Sequence, residues 1–200
     1  MTVQGIQGRH HVSARFREIT GIVLLAAGMV LVGYGLFFPA RAALTEILLQ
    51  RAFGAARADE IAPRPWPWAA IRPVAGLEIS RHAVSLIIVD GENNGALRLG
   101  PRHVRGTAQP GRYGHSVVIG NASQFSFLQH IRIGELIDIE RPGGARKPYI
   151  VVEKKIVDLR KNRIRIEPEG DTLSLVGPYP PSGTPDRSRR FVVTAIADRP

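Results

Sequence analysis

The chain contains no cysteine. That absence excludes disulfides, thiolate metal sites and any cysteine nucleophile. Acidic side chains are the minority, 17 against 27 basic, and the formal charge is +10. Such a balance makes nucleic acid or an anionic membrane surface the first partners to consider. No aromatic-interleaved basic motif, helix-turn-helix pattern or ribonucleoprotein signature is present, so nucleic acid is not expected. Metal-ligand spacing is lacking too. His10-His11 is an adjacent pair, and Asp90, Glu92, Asn93 and Asn94 read better as a solvated turn than as a Ca²⁺ loop. Neither a metal nor a cofactor is expected. There is no internal repeat.

What the chain does have is one long uncharged run, Ile19 to Phe38. At about 1.5 Å per residue its 20 residues reach about 30 Å, the thickness of a bilayer's hydrocarbon core. Arg9, Arg15 and Arg17 precede it and favour a cytoplasmic N-terminus, a bias weakened by Arg41, Arg51 and Arg57 beyond it. Two other readings compete. Ala40-Arg41-Ala42 resembles a signal-peptidase site, although the run exceeds the usual ~7–15 residues of a signal core. A buried soluble helix is disfavoured by apolarity on all sides. The reading adopted is a single-pass anchor in the cytoplasmic membrane, with the C-terminal domain in the periplasm.

Residues 42–53 place Leu44, Ile47, Leu48 and Phe53 near one helical face, continuing the membrane helix or lying at its interface. Pro65-Trp66-Pro67-Trp68 is an extended segment whose indoles either seal the domain base or join an interfacial belt. Beyond Ile71 come short β-like runs at 77–79, 85–89, 116–119, 136–139, 149–157, 164–166, 172–176 and 191–195. Asp90-Gly91, Asn94-Gly95 and Pro142-Gly143-Gly144 supply turns between them. Residues 123–130 fit one short helical turn, and 183–190 read as a mobile loop. The fold expected is mainly β: a closed barrel of about seven to eight strands preceded by one N-terminal transmembrane helix. The domain plan is a cytoplasmic tail over 1–18, the membrane helix over 19–38, a juxtamembrane helix and Pro/Trp linker over 39–70, and the barrel over 71–200.

Several stretches together resemble the sortases, most of all the Gram-negative type called class GN. They are the membrane run with residues 40–53, Pro65–Ala69 with Arg72–Ala75, Leu99–His103, Gly106–Gly111, and Arg190–Ala195. The resemblance covers nearly the whole chain and implies a sortase-like barrel. Sortases cleave a sorting signal and transfer the acyl product to an amine. That chemistry uses a cysteine thiolate, a histidine that protonates the leaving amine, and an arginine that holds substrate and oxyanion. The family's TLxTC-Tyr-Pro pattern falls on Ser174-Leu175-Val176-Gly177-Pro178 followed by Tyr179-Pro180, so Pro178 stands at the nucleophile position. The Gly-His pair falls on Gly120-Asn121, so Asn121 stands at the general-acid position. Arg190 keeps the arginine position.

Proline has no nucleophilic side chain and no N–H, and an asparagine amide does not titrate in the ordinary pH range. The expectation is therefore a sortase-family pseudoenzyme in which Asn121 and Arg190 hold a sorting-signal peptide or a partner protein. An alternative is a transpeptidase or peptide hydrolase with a displaced serine. Ser174, Ser182 and Thr184 are the hydroxyls near the lost nucleophile, and His103, His115 and His130 are the nearest bases by sequence. Arg190 could instead pair only with a carboxylate such as Asp171 or Glu169. The basic runs around Arg98–Arg105 and Lys154–Arg165 read as a solvated face.

Overall fold

A computed structural model describes residues 10–56, 62–91, 96–160, 170–180 and 186–198. The acidic-loop residues Glu92–Asn94, the strand expected at 164–166, Arg163, Arg165, Ser182 and Thr184 lie outside them, as do the side chains of His10 and His11. The chain divides into two compact units, Met1–Thr45 and Glu46–Pro200.

One helix, α1, runs from His10 to Gly54. Its described side chains in the apolar run, among them Ile22, Leu25, Met29 and Val30, are exposed. Within that run the side chains of 19–20, 33 and 36–38 lie outside the described set. Over the described residues alone, no helix is long and apolar enough to cross a membrane.

The second unit is a barrel of eight strands. They are β1 (Arg72–Ile79), β2 (Val84–Asp90), β3 (Arg102–His103), β4 (His115–Ile119), β5 (Leu136–Glu140), β6 (Arg146–Asp158), β7 (Thr172–Tyr179) and β8 (Asp186–Ala197). A short helix α2 (Ala96–Leu99) sits before β3, and single 3-10 turns occupy Ser80–His82 and Ser126–Gln129. Around the barrel the order is β1-β2-β3-β4-β7-β8-β6-β5, closed by β5 against β1. Closure leaves these strands without a long open edge, which suits a mainly β chain. Three expectations need correcting at their margins. β1 begins at Arg72, five residues ahead of the run read at 77–79; β3 was not expected; and Asp186–Arg190, read as loop, forms the first half of β8.

The side-chain alternation of the strands builds two apolar layers. Inside the barrel, Leu77, Ile79, Ile88, Val118, Ile137, Ile139, Val151, Leu173, Leu175, Val193 and Ala195 form the main core. The segment after β4 closes it, with Phe125, Phe127, Leu128 and Ile131 all buried in the same core. Gly120 permits this closure: a Cβ there would lie 2.5 Å from the Phe125 ring. On the opposite face of β4, β7 and β8, Val117, Val176 and Val192 meet Val157 of β6 in a second, smaller cluster. A third cluster joins Leu49, near the end of α1, to Ala69, Ile71, Val89 and Ala96, with Trp66 against it.

Candidate functional site

Pairing registers bring the three positions singled out in the sequence to one end of one sheet. β4 runs parallel to β7, with Ile119 beside Val176, and the Gly120 N–H donates to the Val176 carbonyl at 3.0 Å. Asn121 follows immediately. On the other side of β7, Pro178 stands opposite Arg190 of β8, and Arg190 stands opposite Val157 of β6. Directly opposed residues share a face. Ser174, Val176 and Pro178 therefore form one outward column, beside Thr194, Val192 and Arg190. The outer valine cluster is the floor of this face, and Pro178 and Arg190 occupy its end.

Each position has a distinct local role. Pro178 lies near the end of β7, where the ladder shifts register before Tyr179, so its missing N–H costs little. Asn121 is bound into a reciprocal turn. Its backbone N–H donates to Gln124 Oε1 at 3.0 Å, and Gln124 N–H donates back to Asn121 Oδ1 at 2.9 Å. Asn121 Nδ2 and Gln124 Nε2 both donate to the Leu97 carbonyl of α2, at 3.2 and 3.0 Å. The amide thus ties α2 to the segment that closes the barrel. The Arg190 guanidinium bends along its own strand, donating from Nη1 to the Arg189 carbonyl at 2.8 Å and towards the Asp186 carbonyl at 3.4 Å. Asp171 bonds Lys147 and Tyr149, and Glu169 lies outside the described residues.

The histidines proposed as bases separate. His103 is buried, with Nε2 against the Ala108 carbonyl at 2.9 Å and Thr107 Oγ1 at 3.1 Å. Burial holds its pKa below the usual value, against raising pulls from the Ala108 and Thr107 contacts and from Asp90. A neutral ring donating to Ala108 fits these contacts. His115 does meet a serine: its Nε2 lies 2.8 Å from Ser174 Oγ. Sequence reasoning could not find this pair, because its members stand 59 residues apart and come together only through the parallel β4–β7 register. The distance is that of a nucleophile and its base. However, Ser174 is 2% exposed and His115 is 5% exposed, so an acyl donor cannot reach the hydroxyl. Among the described residues there is no cluster of three or more ligating side chains for a metal ion.

Residues 77–198, more than half of the chain, match the family model described as Sortase domain. The chain belongs to the sortase family. The match begins inside β1 and ends just past β8, so it takes in the whole β4–β7–β8 face. Solved sortases share the fold at low identity. Sortase A from Corynebacterium diphtheriae is 21% identical with a TM-score of 0.57, covering 80% of this chain and 84% of that one. Clostridium perfringens sortase C with the C-terminal cell wall sorting motif is 17% identical, also with a TM-score of 0.57, covering 80% and 90%. The Clostridium perfringens sortase D5 transpeptidase is 18% identical with a TM-score of 0.56, covering 64% and 80%. No curated protein sequence matches the chain. Sortases are transpeptidases, and this chain has no cysteine.

Proposed function

We propose that this sortase-family chain is a non-catalytic binding module, closest to the class GN type. It is anchored in the cytoplasmic membrane by residues 19–38, with its barrel in the periplasm. It holds a sorting-signal peptide or the protein that bears one. The observation that carries this reading is the register of β7 against β8: Arg190 stands opposite position 178, and position 178 holds a proline. A guanidinium binds carbonyl and carboxylate oxygens whether or not a thiolate stands beside it. Asn121 uses one amide N–H on Leu97, and the other can meet a peptide carbonyl. The ligand class follows from the family and from the relative solved with a sorting motif. The anchor rests on the uncharged run and on the exposure of its described side chains.

The second reading, a displaced serine, has the 2.8 Å contact of His115 with Ser174 in its favour and their burial against it. One experiment separates the two. The full chain, in detergent, is mixed with fluorogenic sorting-signal peptides and an amine acceptor, beside Arg190→Ala and the double variant Pro178→Cys with Asn121→His. Peptide binding without cleavage, lost in Arg190→Ala, is the expected result. Turnover by the native chain that disappears in Ser174→Ala would establish the serine mechanism instead.

A further inference from the structure

One outward row of the barrel is apolar and uncovered. Leu136 of β5 pairs with Ile150 of β6, and Ile150 pairs in turn with Ile196 of β8. Directly opposed residues share a face. Their strand neighbours Ile137, Tyr149, Val151 and Ala195 are buried in the main core, so these three side chains point outward. Leu136 is 50% exposed and Ile196 is 47% exposed. Val152, beyond Ile150 at the bulge of β6, is exposed as well. The solvent side of such strands is ordinarily polar. Large aliphatic side chains gathered there mark a contact face.

The charges at the two ends of β5 say what covers it. Past Leu136, Asp138 stands directly opposite Glu78 of β1, an arrangement in which like charges repel. Arg146 bonds Glu78 and Glu140. Among the described residues the Asp138 carboxylate has no side-chain partner. Ahead of Leu136, Arg132 is exposed, and its guanidinium also has no partner among the described residues. The Gly134 N–H donates to the Val151 carbonyl at 2.7 Å, which holds this stretch alongside β6. An exposed leucine thus lies between a carboxylate and a guanidinium, each without a counter-ion. That pattern is complementary to itself when reversed. A two-fold axis along the row stacks Leu136, Ile150 and Ile196 on the same residues of a second copy, and it brings each Asp138 over the 132–134 stretch of the other.

We infer that the outer face of β5, β6 and β8 joins two copies of this chain, sheet against sheet, in a two-fold dimer. The apolar row is small beside the ~800 Å² that each partner gives to a standard interface, so the dimer forms and separates with concentration. The contact lies wholly within the barrel and needs neither the anchor nor a bound peptide. Strand β8 carries both faces, with Ile196 and Arg190 about 20 Å apart along it. The two-fold turns the Arg190 ends away from each other, so both stay open in the dimer.

The test follows the mass of the full chain by sedimentation in density-matched detergent over a range of concentrations. The native chain is compared with Ile196→Lys, Asp138→Arg, Arg132→Asp, and Asp138→Arg combined with Arg132→Asp. The expected result is a native dimer that dissociates on dilution. Ile196→Lys should weaken it by about tenfold or more, because the row would bury an unpaired ammonium. Each single charge reversal should weaken it by about tenfold, and the combined reversal should restore it. A cysteine-free chain allows a second measurement that survives the failure of any charged variant to fold. Oxidation of Leu136→Cys should give a covalent dimer, and oxidation of Ser85→Cys, an exposed position on β2, should not. A native chain that is monomeric at every concentration overturns the inference. A dimer that withstands Ile196→Lys and leaves Leu136→Cys unlinked belongs to another surface and overturns it too. Loss in Ile196→Lys without restoration by the combined reversal overturns the two-fold arrangement.

Discussion

The two faces of β7 differ in character. Inward, Leu173 and Leu175 are buried in the main core, and Gly177 lies close against it: a Cβ there would lie 3.3 Å from Leu128 Cδ1 and 3.4 Å from Phe125 Cβ. Outward, Ser174, Val176 and Pro178 form a column with no exposed reactive group, and the serine is tied to His115. The inner face serves the barrel core, and the outer face carries Pro178 opposite Arg190. The main core and the face proposed for binding thus lie on opposite sides of a single strand, separated by the two-residue period of a β-strand.

The sharpest way to challenge that contrast is to truncate both faces. Leu175→Ala should destabilise the barrel by about 2–5 kcal/mol in chemical denaturation, because the residue is fully buried among ring and aliphatic side chains. Val176→Ala should cost roughly half as much. Equal losses would mean that the outer valines are core in their own right. Gly177→Thr should cost about 1–3 kcal/mol by crowding Phe125 and Leu128. Asn121→Ala removes the side-chain acceptor for Gln124 and one donor to Leu97, and should cost about 1–2 kcal/mol with faster amide exchange in α2.

The smallest expected effect is on pH dependence. The folded state holds His103 neutral, with its pKa below the ordinary 6.5, chiefly through burial. Folding then binds fewer protons than the unfolded chain, so stability is full above that value and declines as pH falls below it. Glu135 adds a second step. Its burial alone would raise its pKa, but the hydrogen bond from His82, the Arg132 backbone and the charges of His82 and Arg81 outweigh that and leave it below the ordinary 4.5. Its contribution is complete above that value and is lost as pH falls through the lower folded one. Melting curves taken across pH should show both steps, with His103→Gln removing the upper and Glu135→Gln the lower.

Much of the barrel was legible because seven of its strands carry an alternating or continuous apolar signal, as in Ser-Val-Val-Ile before Gly120 and Thr-Leu-Ser-Leu-Val before Gly177. β3 was not, because two residues, Arg and His, carry no period. The first half of β8 was misread because Asp-Arg-Ser-Arg-Arg is polar throughout; it is a strand because β6 and β7 flank it. At the site, the letters at 121, 178 and 190 were readable against a motif, while the partners of those side chains were not. Leu97 lies 24 residues from Asn121, and no local pattern announces that contact.

That contact has a bearing on which residues position 121 can hold. The Asn121 and Gln124 side chains brace α2 against the segment that closes the barrel. A histidine placed at 121 would have to replace an amide that accepts from Gln124 and donates to Leu97 at the same time. The folding of the domain alone therefore opposes a histidine there. Any variant with histidine at 121 must first rebuild this turn.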